Sequence, residues 1–469
     1  MITSVRGKRG GSMELQRDIY KKLLNWKKRN NGKVLELKGA RQTGKTFILD
    51  KFARENYNTY LYINMVQTSG AEFLECLDAA TAWKPGMPRK EHPLHDAFLI
   101  FDGRFVDKRD TVVVIDEIQE SARVYSLIRQ FAREFECHFI VTGSYLGKVI
   151  EKDYFLPAGD TEDMVLNTLS FPEFLGAMGK RNLYEEIDLY GGGIHEQYDE
   201  LRELYQIYSE IGGYPAVVNC YAETADKNQC QEVLRQIIRI FIEESTRYMP
   251  DVSDIGLFEQ LFPAIAQLSV REKKGNDDLI AELSKIIYKE DSNRATKKSI
   301  TSVTAWLYRS DIIGYCGKAV ECDPADTRPN SRFYFRDLGV ARHFLRAGGI
   351  KKEAAAGLIN ENFIYLELLE RTRTEELAGA VPVFGTYKTG EIDFLVSNVL
   401  NDKDYGVEVK AGKDAGKTAR LLLQDGKVEA VYYLKGDTYG GIAGRMITVP
   451  IYLAGRVKFD YVKQKNVDE

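Results

Sequence analysis

Paired cysteines, a charge excess of one sign and long apolar runs are all missing from this sequence, and each absence removes a class of protein. The six cysteines, Cys76, Cys137, Cys220, Cys230, Cys316 and Cys322, form no Cys-x-x-Cys pair. That spacing excludes a zinc knuckle and a disulfide framework and leads us to expect a reducing, cytoplasmic setting. Lys and Arg number 65 against 69 Asp and Glu, for a net charge of −4. Bulk coating of nucleic acid in the manner of a histone is therefore excluded, and only a local basic patch is left for such a partner. No apolar run approaches the ~18 residues of a membrane span, so no membrane partner is expected. Residues 1–12, basic and rich in Gly and Ser, are expected to be a flexible leader ahead of Met13.

What is present is ample material for folding. The 469 residues are 44% hydrophobic and 29% charged, which suits about three domains at ~150 residues each. Apolar spacing at Leu15, Ile19, Leu23 and Leu24 predicts a helix over 14–28. Strands are predicted over 33–38, 59–64, 111–115 and 137–142, with helix-length segments between them. That alternation predicts a parallel α/β sheet with crossover helices. Beyond about residue 250, helices over 255–270, 278–289 and 297–308 lead into a strand over 312–320, the order of a winged helix. A last α/β region follows, with a helix over 358–371 and strands over 391–396, 406–410 and 429–434.

The first predicted strand runs into Gly39, Ala40, Arg41, Gln42, Thr43, Gly44, Lys45 and Thr46, with Phe47 opening the next helix. This is GxxxxGK[ST] between a strand and a helix, the P-loop in which backbone N–H groups cradle phosphates. Lys45 neutralises the β/γ oxygens there and Thr46 ligates Mg²⁺. A plain glycine turn is the alternative that the flanking elements disfavour. Val112 to Ile115 form an apolar strand that ends in Asp116 and Glu117, delivering two carboxylates to the phosphate end of the sheet. Asp116 is expected to hold Mg²⁺ and Glu117 to orient the attacking water. On a chain without the P-loop, this acid pair would read as a helix N-cap. Thr142 and Ser144, at the end of the next apolar strand, are candidates to sense the γ-phosphate, and Ser144 reads equally well as a helix cap. His92 and His95 lie near a proline-containing loop with no evident third ligand, and no nucleophile triad is apparent.

These strings, together with Leu169-Ser170-Phe171-Pro172-Glu173-Phe174 and Gly212-Gly213-Tyr214-Pro215-Ala216-Val217, resemble a group of bacterial and archaeal ATPases of the AAA superfamily. In that group a P-loop domain precedes a C-terminal domain of unknown function that looks like a restriction-endonuclease core. The resemblance implies a P-loop ATPase domain with a helical lid over 13–250, a winged-helix segment over 251–345 and a restriction-endonuclease-like α/β domain over 346–469. It implies ATP and Mg²⁺ as ligands, and ATP is inherited from it because no guanine-reading Asn-Lys-x-Asp string is seen. One departure stands out: the group has Leu-x-Gly-Arg where this chain reads Leu156-Pro157-Ala158-Gly159-Asp160. Arg123, Arg129, Arg133 and Arg247 are the alternative sources of the missing charge. In the winged-helix segment Arg294, Lys297, Lys298 and Arg309 offer one helix a basic face suited to DNA phosphates, with a plain solvated face as the alternative.

Near the C-terminus the alternation of Glu391-Ile392-Asp393-Phe394 and Val407-Glu408-Val409-Lys410 puts acids and lysine on one face and apolar residues on the other. Asp…Glu-x-Lys on neighbouring strands resembles the metal site of restriction-endonuclease-like nucleases. Asp393 and Glu408 would hold Mg²⁺ there, Lys410 would orient the water, and Glu361 matches the position of the acid from the preceding helix. A hairpin with a weak surface salt bridge is the competing reading. Two functions follow: an ATPase that drives a nuclease-like domain on DNA, or a nucleotide-dependent switch that binds a protein partner or a second copy of itself without cleaving DNA.

Overall fold

The computed structural model describes residues 14–29, 31–82, 91–143, 159–248, 256–271, 278–288, 294–372, 376–377, 381–410 and 416–461, without the side chains at 246–248, 270–271, 294–296 and 410. Contacts divide the chain into two units, one of residues 17–168 with 309–311 and the other of 1–16, 169–308 and 312–469.

The first unit alternates strand and helix as the apolar pattern predicts. Its elements are α1 (Ile19–Arg29), β1 (Val34–Lys38), α2 (Lys45–Asn56), β2 (Thr59–Asn64), α3 (Thr68–Thr81), α4 (Pro93–Phe101), β3 (Thr111–Asp116), α5 (Ala122–Tyr125), α6 (Ile128–Glu134), β4 (His138–Thr142) and β5 (Thr161–Val165). The five strands run parallel in the order β2-β3-β4-β1-β5. Interior strand β3 is buried along its whole length. Its Val113 and Ile115 join Phe73, Phe98 and Phe139 on one face, while Val112 and Val114 join Leu35, Ile48 and Phe52 on the other. Burial on both faces is why these strands read as unbroken apolar runs. The pattern does not reveal β5, an edge strand of sequence Thr-Glu-Asp-Met-Val whose one buried residue is Met164.

The second unit begins with α7 (Phe171–Ala177), α8 (Arg181–Glu186), α9 (His195–Ile211), α10 (Pro215–Thr224), α11 (Lys227–Tyr248), α12 (Gly256–Arg271), α13 (Leu279–Tyr288) and α14 (Arg294–Arg309). It continues through β6 (Ile313–Ala319), β7 (Thr327–Phe335), α15 (Leu338–Ala347), α16 (Lys352–Arg371), β8 (Val383–Tyr387), β9 (Gly390–Asn398), β10 (Lys403–Lys410), α17 (Lys417–Gln424), β11 (Ala430–Lys435), β12 (Gly441–Ala443) and β13 (Met446–Pro450). The strands form one eight-stranded sheet, β12-β13-β11-β10-β9-β8-β6-β7.

Two expected boundaries do not coincide with this division. The strand expected over 312–320 to complete a winged helix is β6, which pairs with β7 and, through Gly317↔Val383, with β8, so one sheet crosses the expected break at 345/346. Residues 169–250, expected within the ATPase-and-lid domain over 13–250, belong to the second unit. Three strings that carry no chemistry explain why. Ser170 caps α7 by accepting the Glu173 amide while the Glu173 carboxylate accepts the Ser170 amide at 2.9 Å, a capping box. The Leu169 amide donates to the Gly213 carbonyl at 2.7 Å, and the Gly213 amide donates to Asp337 Oδ2 at 2.8 Å. A Cβ on Gly213 would sit 2.2 Å from the Leu169 carbonyl oxygen, so only glycine allows this approach. Asp337 in turn caps α15 through the Val340 amide. The segments after residues 168, 211 and 335 are thus tied at one joint.

Candidate functional site

The phosphate-binding loop lies between β1 and α2, at the C-terminal edge of the parallel sheet, and α2 opens at Lys45 with its free N–H groups and positive dipole end facing the loop. Gly39 has φ 140°, and a Cβ there would lie 2.2 Å from the Leu166 carbonyl oxygen. Glycine is therefore required where the chain leaves β1. Thr43 donates its hydroxyl to the Ala40 carbonyl at 2.9 Å inside the loop. Arg17 braces the loop from outside, donating Nη1 to the Thr43 carbonyl at 3.0 Å and Nη2 to the Asn167 carbonyl at 2.6 Å. Sequence reasoning passed over Arg17 because it precedes α1 and belongs to no motif.

Lys45 is buried, with Nζ 2.8 Å from both the Gly39 and Ala40 carbonyl oxygens. Burial pushes its pKa down to about 8 against the pull of Glu117 and Asp116. The neighbouring Thr46 donates its hydroxyl to Asp116 Oδ2 at 2.8 Å, which joins the first turn of α2 to the end of β3. Tyr62 donates to the same Oδ2 at 2.8 Å, and Asp116 Oδ1 accepts the Glu117 amide at 2.8 Å. Tyr62 stands two residues from the end of β2, one strand over from Asp116, and nothing in the linear sequence marks it. Glu117 itself has φ 52°, an uncommon left-handed conformation for a non-glycine residue, and its Oε2 accepts Gln119 Nε2 at 2.5 Å. This turn carries its carboxylate beyond the strand end. Phe47, expected to line the nucleotide site, is 59% exposed on the first turn of α2.

The donor set fits a magnesium ion bound together with a nucleotide. Mg²⁺ takes hard oxygen ligands and is held by one or two protein groups plus substrate phosphates. Thr46 and Asp116 supply one hydroxyl and one carboxylate side by side, leaving the other positions to phosphate and water. Among the described residues no group of three or more His, Cys, Asp or Glu side chains is placed to hold a metal ion by itself.

Other expectations fare differently. Thr142 is fully buried and donates its hydroxyl to the Leu37 carbonyl at 2.8 Å. Its donor therefore ties β4 to β1 rather than pointing toward a phosphate. Ser144 lies outside the described residues. Of the arginines considered as replacements, Arg123 pairs with Asp78 at 2.6 Å, while Arg133 and Arg129 reach Asp160 at 3.1 and 3.7 Å. Asp160, standing where the resembled group has arginine, is thus the partner of two of them. The Arg247 side chain is outside the description. His95 hydrogen-bonds Asp107 at 2.9 Å and stacks on Phe135, which accounts for it without a metal.

In the second unit, Glu361 of α16 and Asp393 of β9 line one cavity of about 380 Å³ together with Glu391, Arg332 and Tyr334. Its charges are internally balanced in large part. Arg332 pairs with Glu391 at 2.8 Å and Glu361 at 3.3 Å, and Tyr334 donates to Glu361. Asp393 Oδ2 accepts the Val409 amide at 2.6 Å. Glu408 is 3% exposed, packs against Gly416 and does not line this cavity. Among the described residues no group of three metal-binding side chains includes the expected Mg²⁺ pair of Asp393 and Glu408, and a guanidinium lies against Glu361. These residues do not fit a metal centre. The Lys410 side chain lies outside the description.

An α/β unit of five parallel strands, with a lysine and hydroxyl at a glycine loop and two acids on a strand two positions away, defines the class of the P-loop nucleotide-binding proteins. Residues 31–175, most of this unit, match the family described as AAA domain, in agreement with the P-loop fold. Residues 202–351 match a family described as domain of unknown function (DUF8612). An uncharacterized protein of Haemophilus influenzae is 22% identical over 284 residues, 60% of this chain and 62% of that relative, so the chain spans less than two thirds of its length. Among solved structures, a Walker-type ATPase of Pyrococcus abyssi is similar at 14% identity over 73% of this chain and 99% of that chain, with a TM-score of 0.44. The Aeropyrum pernix ORC1 protein, solved in complex with DNA, is similar at 13% identity over 72% of this chain and 94% of that one, with a TM-score of 0.28. No helix among the described residues is long and apolar enough to cross a membrane.

Proposed function

We propose that residues 17–168 bind ATP with Mg²⁺ and hydrolyse it, and that the nucleotide state sets what the remainder of the chain binds. The observation that carries this reading is the 2.8 Å bond from Thr46 to Asp116, which brings the P-loop hydroxyl and the strand-end carboxylate to one point beside Lys45 and Glu117. In the reaction Lys45 exchanges its two carbonyl partners for phosphate oxygens and neutralises charge there. Thr46 and Asp116 would hold the metal, which would supply charge screening for the phosphates. Glu117, aimed by its turn and by Gln119, orients the attacking water and accepts its proton. Tyr62 keeps Asp116 fixed, and Arg17 keeps the loop in shape.

For the second unit, the pairing of Arg332 with Glu361 and Glu391 favours the switch reading, in which it recruits a partner, over metal-dependent DNA cleavage. The test is ATP turnover by the full chain and by Glu117→Gln, each with and without double- and single-stranded DNA, alongside a Mg²⁺-dependent DNA cleavage assay. We expect turnover to fall by about 100-fold or more in Glu117→Gln while ATP binding persists. Cleavage of DNA that is lost in Asp393→Ala would overturn the switch reading and restore the nuclease one.

A further inference from the structure

A cleft of about 650 Å³ opens in the second unit among α9, α11, α15 and the first turns of α16. Its volume is within the range of small-molecule sites. Four cations line it, Arg202, Lys227, Arg342 and Lys352, against two carboxylates, Glu210 and Asp437.

Two of the four cations are already paired. Arg202 Nη1 meets Asp199 Oδ1 at 2.8 Å, and the Lys227 ammonium is bonded to Glu210. The other two are not. Arg342 is half-buried and donates Nε to the Ser209 carbonyl at 3.0 Å, and among the described residues no carboxylate forms an ion pair with it or with Lys352. Burial holds the Arg342 pKa below its ordinary value, with Glu210 acting against that. A half-buried guanidinium that has no ion pair, and whose nearby Glu210 is already bonded to Lys227, is left under-compensated, and an anion in the cleft would relieve it. Lys352 opens α16, so its ammonium stands beside the helix's positive end, and Asn360 lies two turns along the same wall. Asn360 Oδ1 accepts the Tyr205 hydroxyl at 2.9 Å, which leaves its amide nitrogen as a further donor. Asp437 stands exposed at the rim, where its charge disfavours a long polyanion running out of the cleft.

We propose that this cleft binds a compact phosphate-bearing ligand, with Arg342 and Lys352 as its anion contacts. The inference stands apart from the ATP reading, since none of these residues belongs to the P-loop unit. A phosphate group can come from a free small molecule or from a nucleic-acid backbone, and the rim carboxylate favours the free molecule.

The experiment is calorimetric titration of inorganic pyrophosphate into the full chain carrying Lys45→Ala, so that binding at the P-loop is suppressed. Binding is expected to remain there, and to weaken tenfold or more when Arg342→Gln or Lys352→Gln is added. Arg342→Lys, which keeps the charge, is expected to retain more affinity than Arg342→Gln. Lys352 is exposed, so its variant reports on the cleft even where Arg342→Gln fails to fold. Absence of binding in the Lys45→Ala chain, or binding indifferent to Lys352→Gln and to every folded Arg342 variant, would overturn the proposal. A single-stranded oligonucleotide is expected not to displace pyrophosphate. Displacement that vanishes in the same variants would overturn the small-ligand assignment in favour of a nucleic-acid backbone.

Discussion

Glu367, toward the C-terminal end of α16, is partly buried, and burial pushes its pKa from 4.5 up to about 7, with Arg371 pulling it down and Glu370 pushing it up. Tyr184 of α8 and Tyr205 and Tyr208 of α9 face it, and Arg456 reaches the same region through its bond to the Tyr184 carbonyl at 2.7 Å. There is no room for a larger residue at Gly455, where a Cβ would sit 2.6 Å from Glu367 Oε2. The folded chain therefore holds this proton more tightly than the unfolded chain does. Below pH 4.5 both states are protonated and the carboxyl adds no pH dependence. Between 4.5 and about 7 the unfolded state loses its proton first, so stability falls as pH rises, and it levels off above about 7. A gap of about 2.5 pH units at about 1.4 kcal/mol each amounts to a penalty of about 3 kcal/mol at pH 8. Glu367→Gln keeps the shape of the protonated acid and cannot ionise. Urea unfolding at pH 5 and pH 8 is expected to show the variant gaining about 3 kcal/mol on the wild type at pH 8 and about 0.8 kcal/mol at pH 5. An equal difference at both pH values, or destabilisation at pH 8, would refute a Glu367 whose pKa is raised in the folded chain.

The interior bonds of the P-loop unit make further predictions. Thr142→Val should lower stability by about 1 kcal/mol or more, by taking the donor from the Leu37 carbonyl, and leave turnover within about threefold of wild type. A hundredfold loss of turnover with an unchanged melting temperature would instead return Thr142 to the phosphate-sensing role. Gly39→Ala forces a Cβ against the Leu166 carbonyl oxygen at a left-handed φ, so the variant should lose nucleotide binding or fail to fold; normal binding measured by nucleotide titration would contradict the loop geometry. Tyr62→Phe removes one of the bonds to Asp116 Oδ2 and should raise the Mg²⁺ concentration needed for half-maximal turnover several-fold without altering the fold seen by circular dichroism.

How much could be read beforehand depends on where the information lies. Strands β3 and β4 are buried along their whole length and read as nearly unbroken apolar runs, while β1 carries the buried Glu36 between its leucines, and the glycines and acids at the strand ends follow from the chemistry of phosphate. Edge strand β5 shows four of its five residues to partly open surroundings and carries no such pattern. The roles of Tyr62 and Arg17 arise from neighbours across the sheet or beyond the loop, a relation that linear spacing does not encode. At the C-terminal constellation the alternation was legible and β9 and β10 pair as neighbours. The partners of its acids were not, because Arg332 comes from β7, three strands away from β9 in the sheet. The unit boundary at residue 168 was hidden for a similar reason: the Leu169, Gly213 and Asp337 bonds that join distant segments look in sequence like three separate motifs.

The central claim is that Lys45, Thr46, Asp116 and Glu117 form a working ATP site. Its most direct test is phosphate release from ATP by the purified full chain, with Mg²⁺ and with EDTA, compared with Lys45→Ala. The account predicts turnover that requires Mg²⁺ and disappears in Lys45→Ala while the variant remains folded. Turnover that survives Lys45→Ala, or a folded wild type that neither binds nor hydrolyses ATP, would contradict it.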